Sequence, residues 1–223
     1  GMGAKIIGNL SEIDKIDILV DLSGHTSNGR LDVMALKPAP VQVTCIGYPD
    51  TTGLRSIDYR FTDEYADKEE YKKYYAEELV FLPGGFICYK PISSAPQVSE
   101  LPAKKNGYVT FGSFNQQMKI NASVIELWSK VLKSVERSRL LLKFPAGNDQ
   151  MVKKHYLEQF ERRGISRSRI DIYGPLPLEE HLKLYGQMDI SLDTFPYNGT
   201  TTTFEALWMG VPVISLVGDH HVS

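Results

Sequence analysis

Residues 108–144 read YVTFGSFNQQMKINASVIELWSKVLKSVERSRLLLKF. A short apolar run, Tyr108–Phe114, gives way to an amphipathic stretch, Ala122–Val135, and then to a second apolar run, Arg139–Phe144. The period changes from strand to helix and back, which marks parallel strands joined by a crossover helix. The alternation continues through a helix over Asp149–Arg163, a strand at Arg169–Tyr173, a helix over Leu178–Met188 and a strand at Asp189–Asp193. A helix over Thr201–Met209 and a strand at Val211–Val217 follow. Upstream, strands are predicted at Ile16–Leu22, Val41–Gly47, Tyr59–Thr62 and Leu79–Leu82. A helix over Leu31–Leu36 has to stop before Pro38, because proline disfavours helix in the residue before it. Pro91–Gly107 has three prolines, three serines and no apolar period, and reads as a linker. The class is therefore α/β, with one piece over 1–90, a linker over 91–106 and a second piece over 107–223. The second is expected to be a parallel sheet and the larger of the two. Open sheets of this kind take ligands at the carboxyl ends of their strands.

With 223 residues, 42% of them hydrophobic and 23% charged, the chain is long enough for a full core. A net charge of -2 and a pI of about 6.2 give no basic field for nucleic acid or anionic lipid. The charge is evenly spread, with 12 basic and 15 acidic side chains in 1–106 and 13 and 12 in 107–223. No run approaches the roughly 20 apolar residues of a membrane span, and the opening GMGAKIIGNL has no apolar leader core. Cys45 and Cys88 lie far apart inside apolar runs, which predicts buried thiols, a reducing compartment and a cytoplasmic location. There is no GxxxxGK[ST] loop, GxSxG elbow or HExxH pair, so P-loop NTPase, esterase and zincin readings fall away. No Asp-x-Asp occurs to hold a divalent ion on a diphosphate, and His220 with His221 is too little for a metal site, so no metal is expected.

The sharpest local signal is DTFPYNGTTTTFEALWMGVPVI, Asp193–Ile214. Four β-branched threonines are poor helix formers, yet Phe204, Leu207 and Trp208 behind them have helical spacing. Thr200, Thr201 and Thr202 are better placed at a helix N-terminus, where free N–H groups and the positive end of the dipole suit a phosphate. Gly199 would let that backbone approach a ligand. The alternative is that Thr202 caps the helix with Glu205 closing a capping box. After the strand at Tyr108–Phe114, Gln116, Gln117 and Lys119 are polar groups that could reach a diphosphate; a loop lysine taken alone is an ordinary surface charge. SGHTSNGR (Ser23–Arg30) and GYPDTTG (Gly47–Gly53) could line a sugar pocket or be simple turns. His25 in the first could serve as a base or a donor, or be structural.

Three runs, DILVDLSGHTSNGRLDVMALKPAPVQVTCIGYPDTTG, YVTFGSFNQQMKI and MDISLDTFPYNGTTTTFEALWMGVPV, resemble the O-linked N-acetylglucosamine transferase and SPINDLY family of glycosyltransferases, over nearly the whole chain. The resemblance implies a GT-B architecture of two Rossmann-like domains facing across a cleft, behind tetratricopeptide repeats. It also implies inverting, metal-independent transfer of N-acetylglucosamine or fucose to Ser or Thr of proteins. The donor would be UDP-N-acetylglucosamine or GDP-fucose. By the same resemblance Lys119, Thr201 and Thr202 hold the donor diphosphate with Gln116 beside them, Glu205 holds the ribose, and His181 lies against the base. The loop containing Gly47, Tyr48, Pro49, Thr51 and Thr52 lines the sugar pocket. Thr200-Thr201-Thr202 stands where the animal enzymes have His-Thr-Thr, which leaves the donor open. The family's candidate bases fall upstream of Ile16, and its second domain continues past the end of this chain, so both pieces are expected to be incomplete parts of a longer enzyme. The competing readings are a noncatalytic nucleotide-sugar or protein-binding module, and a transferase acting on Asn or a small molecule.

Overall fold

The computed structural model describes residues 14–218 and His221, in two units: one up to Cys88 that also includes His221, and one from Tyr89. The opening GMGAKIIGNL and His220 lie outside the described residues.

In the first unit four strands, β1 (Ile18–Asp21), β2 (Val41–Thr44), β3 (Tyr59–Thr62) and β4 (Glu78–Phe81), form a sheet in sequence order, every neighbour parallel. Ile18 stands opposite Val41, and Tyr59 opposite Glu78. β1 is shorter than its apolar run because the Asp21 carboxylate accepts the amides of Ser23 and Gly24 and turns the chain out of the ladder. The helix α1 (Leu31–Met34) likewise ends early, with Lys37 at a φ of 51° ahead of Pro38. A 3₁₀ helix at Glu69–Tyr74 has no apolar period and escapes a sequence reading.

The second unit begins with irregular chain that holds a short helix, α2 (Pro102–Asn106), inside the segment predicted to be a linker. Proline opens that helix, Gly107 closes it at a φ of 71°, and the carboxylate of Asp189 accepts the amides of Ala103 and Thr110 at 2.7 and 2.8 Å. Then come β5 (Thr110–Ser113), α3 (Ala122–Ser134), β6 (Arg139–Lys143), α4 (Gln150–Glu161), β7 (Ile170–Tyr173), α5 (Leu178–Tyr185), β8 (Ile190–Leu192), α6 (Thr201–Trp208) and β9 (Val213–Ile214). The strand order is β7-β6-β5-β8-β9, all parallel. Asn121 and Asp149 cap α3 and α4, each accepting two first-turn amides. β6 shows how the sheet is covered. Leu140 and Leu142 enter a core with Trp128 and Leu132 of α3 and Phe160 of α4, while Leu141 enters a second core with Leu182 and Tyr185 of α5 and Ala206 of α6. Helices thus lie on both faces, and each strand's carboxyl end opens into a loop free to carry polar groups.

Of the two cysteines, Cys45 is buried as expected, but Cys88 is exposed. It lies past the end of β4, in irregular chain with no ladder or helix to cover it.

Leu142 is 0% exposed and Met118 91% exposed. Denaturant unfolding should show Leu142→Ala losing about 2–5 kcal/mol and Met118→Ala staying within about 0.5 kcal/mol of the parent.

Candidate functional site

β5 and β8 are neighbours, so the loops leaving their carboxyl ends meet. After β5 the chain passes through Phe114, Asn115 and Gln116 into a 3₁₀ turn, Gln117–Lys119. That turn is tied down by Gln117, whose side chain accepts the Ala146 amide at 3.1 Å and whose carbonyl accepts the Tyr156 hydroxyl at 3.0 Å. Lys119 therefore points at the β8 loop. Its Nζ donates to the carbonyl of Asn198 at 2.7 Å and lies 3.6 Å from the centre of the Tyr197 ring. Burial lowers its pKa to about 8, against an opposing pull from the negative charge of Asp193. Gln116 is exposed, and its carbonyl accepts the Lys119 amide.

After β8, Asp193 and Gly199 lead into α6. Thr200 is the N-cap, with no side-chain capping bond, so the capping box is not formed. Thr203 and Phe204 amides turn back to the Thr200 carbonyl, whereas among the described residues the amides of Thr201 and Thr202 have no backbone acceptor. The Thr202 hydroxyl bonds Asn115 Oδ1 at 3.0 Å and that of Thr203 donates to the Gly199 carbonyl at 3.1 Å. A Cβ at Gly199 would stand 2.7 Å from Thr202 Oγ1, 2.9 Å from Asn115 Oδ1 and 3.0 Å from Asp193 Oδ1. Crowding by these polar groups beneath the turn is thus a demand for glycine beyond ligand approach alone.

Glu205, one helical turn on, faces inward instead of back toward the cap. Its Oε2 accepts from His181 Nε2 at 2.9 Å and from the Tyr185 hydroxyl at 3.1 Å. Since a carboxylate accepts, Nε2 is the donor to Glu205, and His181 Nδ1 is buried with no hydrogen-bond partner among the described residues. Burial, followed by the charge of Glu205, pushes the Tyr185 phenol far up, so it stays a donor. The field of Glu205 is also felt by Lys143, at the end of β6, and by Tyr89, whose ring stacks on Phe204 at 5.8 Å. Asn115, Asp193, Tyr185 and Lys143 were not singled out from sequence. The signal that could have found the first two is position, a polar residue directly past a buried parallel strand.

In the first unit the two predicted loops pack together. A Cβ at Gly47 would lie 2.2 Å from the Leu22 carbonyl oxygen, so only glycine permits the approach. His25 Nε2 bonds the Thr52 carbonyl at 2.9 Å, and its ring meets that of Tyr48 edge-on at 5.0 Å. The carbonyl acceptor fixes the proton on Nε2, leaving Nδ1 as the atom that can accept. Arg60, buried in β3, donates to the carbonyls of Tyr48 and Asp50 on either side of Pro49. Glu77 accepts the Thr51 hydroxyl at 2.6 Å, the Thr52 amide at 2.8 Å and the Thr52 hydroxyl. Neither Arg60 nor Glu77 was foreseen, since each lies outside the loop it holds. Among the described residues, no group of three or more His, Cys, Asp or Glu is arranged to hold a metal, and no helix is long and apolar enough to cross a membrane.

Two parallel α/β units, the second presenting a lysine and a helix N-terminus at its strand ends, define a GT-B-like protein. A model of glycosyl transferase family 41 matches residues 4–100 and 90–223, and the chain belongs to that family. It is 48% identical over 223 residues to the probable UDP-N-acetylglucosamine–peptide N-acetylglucosaminyltransferase SPINDLY of Petunia hybrida, covering 99% of this chain and 24% of that protein. To the probable UDP-N-acetylglucosamine–peptide N-acetylglucosaminyltransferase SEC of Arabidopsis thaliana it is 34% identical, covering 96% and 22%. The chain thus spans about a quarter of the length of these curated relatives. Among solved structures, a lysine-to-methionine mutant of the Thermobaculum terrenum O-GlcNAc transferase superposes with a TM-score of 0.91 at 36% identity, over 97% of this chain and 41% of that one. Anabaena Alr3699/HepE in complex with UDP and glucose, at 14% identity and a TM-score of 0.59 over 94% and 61%, shares the fold.

Glu77→Ala strands three donors of the Thr51–Thr52 turn. Unfolding of the first unit should be easier by about 1–3 kcal/mol, read by a probe in that unit such as Tyr48 replaced by a fluorinated tyrosine.

Proposed function

We propose that this chain is part of an inverting, metal-independent glycosyltransferase that moves N-acetylglucosamine or fucose from a nucleotide diphosphate donor to Ser or Thr of proteins. The observation that carries the reading is the convergence of Lys119 with the first-turn amides of Thr201 and Thr202, which have no backbone acceptor among the described residues, at the mouth of the second sheet. When the glycosidic bond to the diphosphate breaks, negative charge grows on the leaving oxygens. A lysine and a helix N-terminus already fixed in a partly desolvated place stabilise that charge without rearranging. No metal is needed for that step.

The other roles follow from the same arrangement. Thr200 and Thr201 hydroxyls are open to phosphate oxygens, and Gln116 is exposed beside them. Glu205 keeps Oε1 for ribose hydroxyls while His181 and Tyr185 hold Oε2, and His181 lies at the place for the base. In the first unit, His25, Gly47, Tyr48, Pro49, Thr51 and Thr52 supply the sugar-facing loops. The names of the SPINDLY and SEC relatives support a peptide acceptor and UDP-N-acetylglucosamine, with GDP-fucose the competing donor. The base that takes the acceptor proton is unassigned. Tetratricopeptide repeats for acceptor binding belong to the longer protein, and the free thiols of Cys45 and Cys88 support a cytoplasmic setting.

Calorimetry with UDP, GDP, UDP-N-acetylglucosamine and GDP-fucose selects the donor. Lys119→Ala should weaken nucleotide binding by about 1.5–3 kcal/mol with little change in melting temperature; equal affinity of mutant and parent would remove Lys119 from the site. Because the ammonium form binds the anion, parent affinity should fall as pH rises through about 8. Mass spectrometry of a Ser/Thr peptide incubated with donor and the longer protein reads transfer, and binding without transfer would favour a noncatalytic module.

A further inference from the structure

Beneath the Gly199–Thr202 turn lies a carboxylate to which neither the sequence reading nor the family resemblance gives a role. Asp193 is 7% exposed, and its carboxylate accepts four hydrogen bonds from the described residues. Its Oδ1 accepts the amides of Thr194 at 2.8 Å and Gly199 at 2.7 Å and the Asn115 side-chain amide at 3.0 Å, and its Oδ2 accepts the Ser215 hydroxyl at 2.9 Å. We propose that Asp193 is a positioning residue for the nucleotide diphosphate, fixing the turn that meets the phosphates from below and supplying the counter-charge to Lys119. The inference rests on the nucleotide-binding reading of that turn and deepens it.

The geometry works in three steps. First, the chain from Asn198 to Gly199 is held from two sides: Lys119 takes the Asn198 carbonyl and Asp193 takes the next amide, that of Gly199. Second, a carboxylate accepts only, so the Asn115 Nδ2 must face Asp193 and its Oδ1 must face Thr202. The Thr202 hydroxyl is then committed as a donor to Asn115. It cannot donate to a phosphate as well, so Thr202 serves a diphosphate through its amide. Third, the β8 loop presents to Lys119 the Tyr197 ring and the Asn198 carbonyl, and the amide of that same peptide, Gly199 N–H, is held by the Asp193 carboxylate; burial lowers the lysine pKa and the Asp193 charge opposes that lowering. A lysine removed from water beside a carboxylate keeps its proton better than one beside a neutral amide.

The test follows the side-chain nitrogen of Lys119 by NMR in ligand-free protein from about pH 6.5 to about 9.5, a window spanning the lysine's midpoint, together with UDP and GDP affinity over the same range. Asp193→Asn keeps the shape and removes the charge. It should move the Lys119 midpoint below that of the parent, make nucleotide affinity fall at lower pH, and weaken binding by roughly tenfold near neutrality. An unchanged Lys119 midpoint would overturn the proposal, even with weaker binding at every pH, since a merely structural aspartate would do that. If Asp193→Asn does not fold, Asp193→Glu decides. Its charge should hold the Lys119 midpoint near that of the parent, while its longer reach misplaces Gly199 and weakens binding at all pH; parent-like affinity there would overturn the positioning role. Failure of the parent to bind either nucleotide would sink the nucleotide reading itself, an outcome told apart from the others because the Lys119 midpoint is measured without ligand.

Discussion

A strand buried along its whole length has to pair its backbone on both edges, and β5 is such a strand. Each of its four residues, Thr110 to Ser113, is buried, and it is the strand shared by β6 and β8. Unpaired amides and carbonyls at that depth would each cost on the order of 1–3 kcal/mol, so β5 has to be paired on both edges, as it is with β6 and β8. Fixing β5 also fixes where the chain leaves it. Asn115 and Lys119 emerge beside the loop from β8, and the polar cluster under α6 can form only because these two exits are adjacent. The fold dictates the site through this one pairing.

The two units hold their loops by the same physical device. In each, a buried acidic or basic side chain collects the hydrogen bonds of a glycine- or threonine-rich loop: Asp193 under the turn before α6, Glu77 and Arg60 around the loop from Gly47 to Gly53. Charge-assisted hydrogen bonds are shorter and stronger than neutral ones, so a loop with few apolar contacts can still be rigid. For the transfer proposed above, such rigidity would matter, because donors that need not reorganise stabilise a developing charge best.

Much of the architecture was legible in the chain. The change of period across Tyr108–Phe144 predicted parallel strands with crossover helices, and the paired strands are all parallel. The strands end short of their apolar runs where a polar side chain ends the ladder, as Asp21 does after β1, because periodicity registers apolar residues and not the hydrogen bond that turns the chain. The apolar run Val211–Val217 shrinks to two residues for a related reason: beyond Ile214 the chain serves Asn198, whose amide donates to Leu216. In the site, Lys119 and the threonine run were visible as motifs, and the structure brings them to one place. Their supports were not, since Asn115 and Asp193 are ordinary polar letters until β5 and β8 are known to be neighbours. The pairing of His181 with Glu205 spans 24 residues and two helices, a distance that no local pattern encodes.

The unequal fates of the two cysteines give the chain a chemical handle. Cys45 is enclosed in the first unit, and burial pushes its thiol further from the reactive thiolate, whereas Cys88 is open to solvent at the residue where the first unit ends. A maleimide dye or spin label added to the folded protein near neutral pH will therefore attach at one place, with no engineered substitution. The label would sit on the sequence boundary between the two units, next to Tyr89, whose ring stacks on Phe204 of α6, so its signal would report on the start of the second unit at the helix that the threonine run opens.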